Sequence, residues 1–290
     1  MYNRVVGLDL SAIEARWRDG QRREAVAELE ALVADHPSDG PAWSLLGLYR
    51  LELGDTDGAL HALDASLAIA PTYPAAYNAG NALLDRGELD RALQRYEQSI
   101  ACFDRYPEAF VNRGIVLHRM RRTEEALASF ERALAIDPDF VPGVRCKAIA
   151  LEALGDKEGS EAQYARLVAL CPGNVGVLSE YGRALSRLPP DNHMELEPGG
   201  RSWKALEVLN EVIAKAPDDL AAYEAKAEVL FRNLHANVAF RTFGAGGFEY
   251  VQGPLRTSSF AEDLAMHLRD AKARFPDAPA WAEYERDLKR

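Results

Sequence analysis

Cysteine is scarce in this chain. Cys102, Cys146 and Cys171 are an odd number with no C-x-x-C spacing, which speaks against both a disulfide framework and a zinc site. Long apolar runs are missing too, none approaching the ~20 residues that a bilayer-spanning helix needs. Basic residues are outnumbered: 34 Lys and Arg stand against 45 Asp and Glu, a formal net charge of -11. That balance disfavours a general phosphate-binding surface, because nucleic-acid affinity rests on clustered cations. The amino end, MYNRVVGLDLSAIEARW, meets charge before an apolar core can form and offers no small-residue cleavage site, so it does not read as a signal peptide. The expectation is a cytoplasmic protein with no nucleic-acid partner, no membrane insertion and no cofactor. A composition of 48% hydrophobic and 27% charged residues is that of a folded chain.

What the sequence does have is a period. Gly47, Gly80, Gly114, Ala148 and Gly182 follow one another at intervals of 33, 34, 34 and 34 residues. Ala59, Ala92, Ala126 and Ser160 keep the same register, as do Pro37, Pro71, Pro138 and Pro172. Turn glycines recur at Gly20, Gly54, Gly87 and Gly155, with Arg121 standing once in that place. Repeats of this length signal a solenoid. Each unit reads as two helices joined at the turn glycine, which supplies a positive φ. Small residues let the two helices approach, and Leu63, Tyr96, Phe130, Tyr164 and Leu209 fill the space beyond. A proline closes the unit, since it cannot continue a helix interior. One unit cannot bury its apolar face alone, so the stack makes the core.

These residues resemble the tetratricopeptide repeat family. Its pattern of W-x2-L-G, a turn glycine, A-x3-F and a closing proline is found in GPAWSLLGLYRLELGDTDGALHALDASLAIAP, in PAAYNAGNALLDRGELDRALQRY and in PEAFVNRGIVLHRMRRTEEALASFERALAIDP. Arg113 and Lys147 depart from it, at positions usually apolar in the family, although long stems can lie along apolar surface. The resemblance implies an all-α fold, a right-handed α-α superhelix of about seven helical hairpins. It is read as one domain over 1–290, with a degenerate repeat at 6–39 and four regular repeats at 40–172.

Two segments interrupt the period. Ala205 falls 45 residues after Ser160 rather than 34, and Pro217 falls 45 after Pro172, so the repeat at 173–219 holds an inserted loop at 189–202. A degenerate repeat at 220–276 holds a Gly-rich insertion at 234–257. There NVAFRTFGAGGFEYVQGPL reads as a small hairpin or ordered loop, from its β-branched and aromatic runs around Gly244, Gly246 and Gly247. A helix over about 259–274 follows, with Ser258 or Ser259 as N-cap. The stretch 277–290 reads as a capping helix with Trp281 facing the stack.

Chemistry has little to build on. Asp191, His193, Glu195 and Glu197 alternate in the first insertion and could hold a hard or borderline metal, but a solvated acidic loop is the plainer reading. FGAGGFEYVQG has glycines without the G-K-[ST] that phosphate cradling needs. No Ser/His/Asp or Cys/His set assembles by spacing. An enzyme or a small-molecule or metal site built from the two insertions is the alternative reading, behind a non-catalytic adaptor.

The resemblance places the first helix of each unit on the concave side. Tyr77, Asn78, Asn81, Asn112, His118, Arg119, Arg145, Arg183 and Arg187 are then the candidate peptide-binding residues. Asparagine is a poor helix former, and its amide both donates and accepts. In the family, asparagines flanking the first-helix glycine often hold a peptide backbone, and Asn78, Asn112 and Asn81 match those positions. The alternative is that these amides bridge adjacent helices. Tyr77, Pro142 and Cys146 stand where the family's carboxylate-capturing clamp has basic residues. A protein or peptide is the expected partner, of identity and stoichiometry that residues alone leave open.

Overall fold

The structure, a computed structural model, describes residues 10–187, 200–243, 256–279, 281, 282 and 284. Among these residues there are fourteen helices and no strand. The chain divides into two compact units, Met1–Asp156 and Lys157–Arg290.

The first unit holds α1 (Ser11–Arg18), α2 (Arg22–Asp35), α3 (Gly40–Glu52), α4 (Thr56–Ile69), α5 (Tyr73–Asp85), α6 (Leu89–Cys102), α7 (Pro107–Arg119), α8 (Thr123–Ile136) and α9 (Val141–Leu154). Proline sits in the first turn of α3, α5, α7 and α9, where its missing N–H costs nothing. Asp39 and Asp55 cap α3 and α4 by accepting from the N–H groups of Ala42 and Gly58. The turns between paired helices use a positive φ at Gly20, Gly54 and Gly87. Arg121, at φ 64°, adopts it between α7 and α8 and is the non-glycine residue that does so.

Three helix pairs of the first unit, α3–α4, α5–α6 and α7–α8, close on a first-helix glycine. A β-carbon on Gly47 would lie 2.5 Å from Leu63, one on Gly80 2.7 Å from Tyr96, and one on Gly114 2.4 Å from Phe130. The first-helix glycine is therefore covered by the large residue of the second helix, and Ala59, Ala92 and Ala126 are wholly buried beside it. Serines add a second repeated tie: Ser66 donates to the Gly40 carbonyl at 2.8 Å and Ser99 to the Tyr73 carbonyl at 3.0 Å. Arg113 and Lys147 keep their heads on polar partners, Ser129 and Glu131 respectively, at 3.1 and 2.9 Å.

The second unit holds α10 (Lys157–Leu170), α11 (Val175–Arg187), α12 (Arg201–Lys215), α13 (Leu220–Phe243) and α14 (Arg256–Arg274). Gly182 repeats the pattern, with Leu209 2.7 Å from the position of its absent β-carbon. Trp281 is buried among Tyr223, Ala227, Leu230, Leu264, Leu268 and Ala271, and its indole N–H donates to the Phe275 carbonyl at 3.1 Å.

Three boundaries differ from the sequence reading. Residues 234–243, expected to begin a hairpin or loop, are the last turns of α13. No glycine or proline lies between Leu220 and Phe243, and β-branched or aromatic residues cost a helix only ~0.5 kcal/mol each, so the backbone has no reason to stop before Gly244. Helix α12 starts at Arg201, inside the expected insertion, and α14 starts at Arg256 rather than 259. The acidic loop Asp191–Glu197 and the glycine run at 244–247 lie outside the described residues.

Candidate functional site: the inner face of the first unit

In the first unit, α3 touches α5, α5 touches α7 and α7 touches α9, whereas the second helices α4, α6 and α8 make no comparable approach to one another. The first helices thus form the inner face. An open groove of about 590 Å³ borders them, lined by Leu10 and Glu14 ahead of and within α1, by Ser44, Leu45 and Leu48 of α3, by Tyr73 and Asn78 of α5, and by Ser66 and Cys102 of the second helices α4 and α6.

Tyr77, Asn81 and Asn112 are brought together. Asn112 Nδ2 donates to the Tyr77 hydroxyl at 3.1 Å and to Asn81 Oδ1 at 2.9 Å, and Tyr96 donates to the same Asn81 oxygen at 2.7 Å. Asn112 is 31 residues from Asn81 and 35 from Tyr77, one repeat less three residues and one repeat plus one, which sets adjacent first helices in reach of each other. The bridging alternative therefore describes much of what Asn81 and Asn112 do. Both hydrogens of the Asn112 amide and both lone pairs of Asn81 Oδ1 are used inside the stack. Asn78 differs: half-buried on the groove wall, it makes no side-chain hydrogen bond among the described residues.

A tyrosine cluster surrounds this network, and of its members the sequence reading had only Tyr77 as a site residue and Tyr96 as a packing residue. Tyr77 packs edge-on to Tyr106 with centroids 5.0 Å apart and lies 5.9 Å from Tyr96. Tyr73 lies 5.4 Å from Tyr106 and 5.1 Å from Phe103. Burial raises the pKa of Tyr77, an effect that its amide neighbours oppose, and burial raises that of Tyr96 as well. Tyr106 is pushed up to about 12, by burial first and then by the neighbouring Tyr77 and the charge of Glu108. These hydroxyls stay protonated at neutral pH, that of Tyr96 donating to Asn81 and that of Tyr77 accepting from Asn112. A signal for the cluster was present: Tyr73, Tyr106 and Phe140 recur at 33 and 34 residues, just ahead of or at the start of successive first helices.

The remaining candidates sit apart from this cluster. His118 and Arg119 end α7; His118 Nδ1 is 3.4 Å from Thr123 Oγ1, and Arg119 is exposed. Arg145 is half-buried on α9. Arg183 and Arg187 belong to α11 in the second unit, where Arg183 reaches the Ser179 carbonyl at 3.4 Å. No group of three or more metal-ligating side chains occurs among the described residues, and none of their helices is long and apolar enough to cross a membrane.

The sequence profile of the Tetratricopeptide repeat family matches residues 10–74 and 77–139, the helix pairs that build this face. Residues 10–139 of the chain are tetratricopeptide repeats. Solved tetratricopeptide repeat structures share its fold: the C-terminal part of a TPR repeat-containing protein from Cytophaga hutchinsonii, at 12% identity and a TM-score of 0.67, covers 95% of this chain and is itself covered to 99%. YrrB, described as a TPR protein with an unusual peptide-binding site, is 20% identical with a TM-score of 0.56, over 68% of this chain and 97% of its own. Among curated relatives, a DnaJ homolog subfamily C member 7 homolog of Schizosaccharomyces pombe is 36% identical over 27% of the chain, and protein FlbA of Caulobacter vibrioides 32% over 42%. The chain spans only 17% and 22% of the lengths of those two proteins. The tetratricopeptide fold makes this chain a protein-interaction scaffold in general terms.

Proposed function

We propose that the inner face of the first unit binds an extended peptide segment of a partner protein and that the chain acts as a non-catalytic adaptor. The observation that carries this reading is Asn78, an amide with no hydrogen-bond partner on the wall of an open groove. An open groove suits a chain better than a small molecule, which needs a concavity that covers most of its surface. The Asn78 amide offers both a donor and an acceptor, which matches the alternating groups of an extended backbone. The peptide-binding description of YrrB supports the reading by analogy. Arg119 and Arg145 lie further along the same row of first helices and would meet a longer segment; Arg183 and Arg187 belong to a separate unit and are proposed as part of a second contact.

A peptide library displayed as short extended segments tests it with the full chain. Bound peptides are expected to compete with one another and to lose roughly 1–2 kcal/mol of affinity when Asn78 becomes alanine. Absence of binding by any peptide, or binding indifferent to Asn78→Ala and Tyr77→Ala, would overturn it.

A further inference from the structure

Two residues beyond Tyr106 stands an acid that no cation answers among the described residues. Glu108 lies in the first turn of α7, where the helix end favours a negative charge, and its Oε2 is covered by neighbours yet receives no hydrogen bond. It has no ion-pair partner within the described residues, unlike Glu30, Asp57, Asp64 and Glu131, each of which pairs with an Arg or Lys. Its charge is felt by both Tyr77 and Tyr106. A buried polar atom without a partner calls for an explanation, an absent ligand among them.

The rings beside it point to the class of ligand. Tyr73 is 37% exposed and Phe103 42% exposed, although both belong to an aromatic group that includes Tyr77 and Tyr106. Rings whose faces are open to solvent attract cations through their quadrupoles. Tyr73 is also on the wall of the groove that Asn78 lines. The formal net charge of -11 adds a long-range attraction for basic segments.

The geometry points to a lysine or arginine of the bound segment as the occupant of this corner, its cation set against the rings of Tyr73 and Tyr106 with Glu108 as counter-charge. The inference rests on the groove reading above and gives it a chemistry: an extended partner segment with a basic residue, rather than a neutral or acidic one. Both the carboxylate and the rings are needed. The carboxylate supplies the charge complement, and the open rings supply a surface that tolerates the cation's partial desolvation.

The test is an unbiased peptide library presented to the full chain, to Glu108→Gln and to Tyr73→Ala, with helicity and melting temperature checked for each. Bound sequences are expected to be enriched in Lys or Arg at one fixed position. The best basic peptide should bind the wild type at least ~10-fold more tightly than Glu108→Gln, and its affinity should fall with added salt. Tyr73→Ala, whose side chain is partly exposed, should lose the same enrichment, and it decides the matter if Glu108→Gln fails to fold. Peptides that bind with no basic preference, or a preference kept in the folded variants, would overturn the cation site and leave the groove reading standing. No binding by any peptide would remove the groove reading, and this inference with it.

Discussion

The edge of the Phe130 ring lies 2.4 Å from where Gly114 would carry a β-carbon. Real β-carbons are not found so close to another heavy atom, so the two helices of this pair meet at a distance that only glycine allows. Gly114→Ala is expected to destabilise the first unit by about 1–2 kcal/mol, the overpacking cost exceeding the helix-propensity gain of up to ~1 kcal/mol. Denaturant melts of Gly114→Ala with and without Phe130→Leu check this. The smaller side chain should recover part of the loss, and two strictly additive effects would show that the contact is not the cause.

Arg121 should be improved by replacement. Its φ of 64° is one that glycine holds in the equivalent turns, and a side chain there is strained by roughly 1–2 kcal/mol. Arg121→Gly recovers that strain but gives back up to ~1 kcal/mol through the freer unfolded chain. A net gain of about 0.5–1 kcal/mol is expected, read as a raised melting midpoint. A lowered midpoint would mean that the arginine side chain makes a compensating contact.

Asn112 and Asn78 should separate by what they stabilise. Asn112→Ala removes two donated hydrogen bonds, to Tyr77 and Asn81, and is expected to cost ~1–3 kcal/mol of stability. Asn78→Ala removes none and should leave the melting temperature within about 0.5 kcal/mol of wild type, or raise it slightly through helix propensity. Equal melting shifts in the two variants would contradict the hydrogen-bond assignment.

Acid should weaken the second unit through His267. This imidazole is buried; its Nε2 lies 2.8 Å from the Tyr223 carbonyl, and its ring stacks on Tyr223 with centroids 5.3 Å apart. Burial, helped by the charge of Lys226 and opposed by the carbonyl and Asp270, pulls its pKa down to about 4 from 6.5. The ring is therefore neutral in the folded state at pH 7, and Nε2 carries the proton donated to Tyr223. Between pH 6.5 and 4 the unfolded chain binds a proton that the folded chain refuses. Stability is thus fully present above the unfolded pKa and falls as the pH drops through this window, by up to ~3 kcal/mol for a shift of this size. Thermal melts at pH 7 and 4.5 should show a smaller acid loss for His267→Asn than for wild type. An identical loss in both proteins would exclude this histidine as the source.

The repeat itself was legible because it is written in residue types with no substitute for their geometry. Gly80 and Gly114 had to be small, and Arg121 could be recognised as standing at a turn because the glycines on either side of it kept the register. The burial of Trp281 was legible from its apolar bulk amid charges. The candidate site was legible only in part. Whether Asn112 faces a ligand or Asn81 depends on the offset between neighbouring helices, a matter of about one turn, and 34-residue spacing cannot resolve that. Tyr106 and Glu108 escaped notice since one precedes its helix and the other looks like an ordinary first-turn acid. The end of α13 was misread because β-propensity was given more weight at 238–243 than the absence of any breaker before Gly244.

The placement of the large second-helix residues has a consequence for synthesis on the ribosome. Leu63, Tyr96 and Phe130 each meet a glycine of their own hairpin, and the outer side of each second helix meets the first helix that follows it. A nascent first unit therefore acquires its contacts in the order in which it emerges, every new hairpin covering the one before. At each moment only a single apolar flank is left waiting, for the time needed to translate about thirty more residues, a few seconds at ~5–20 residues per second.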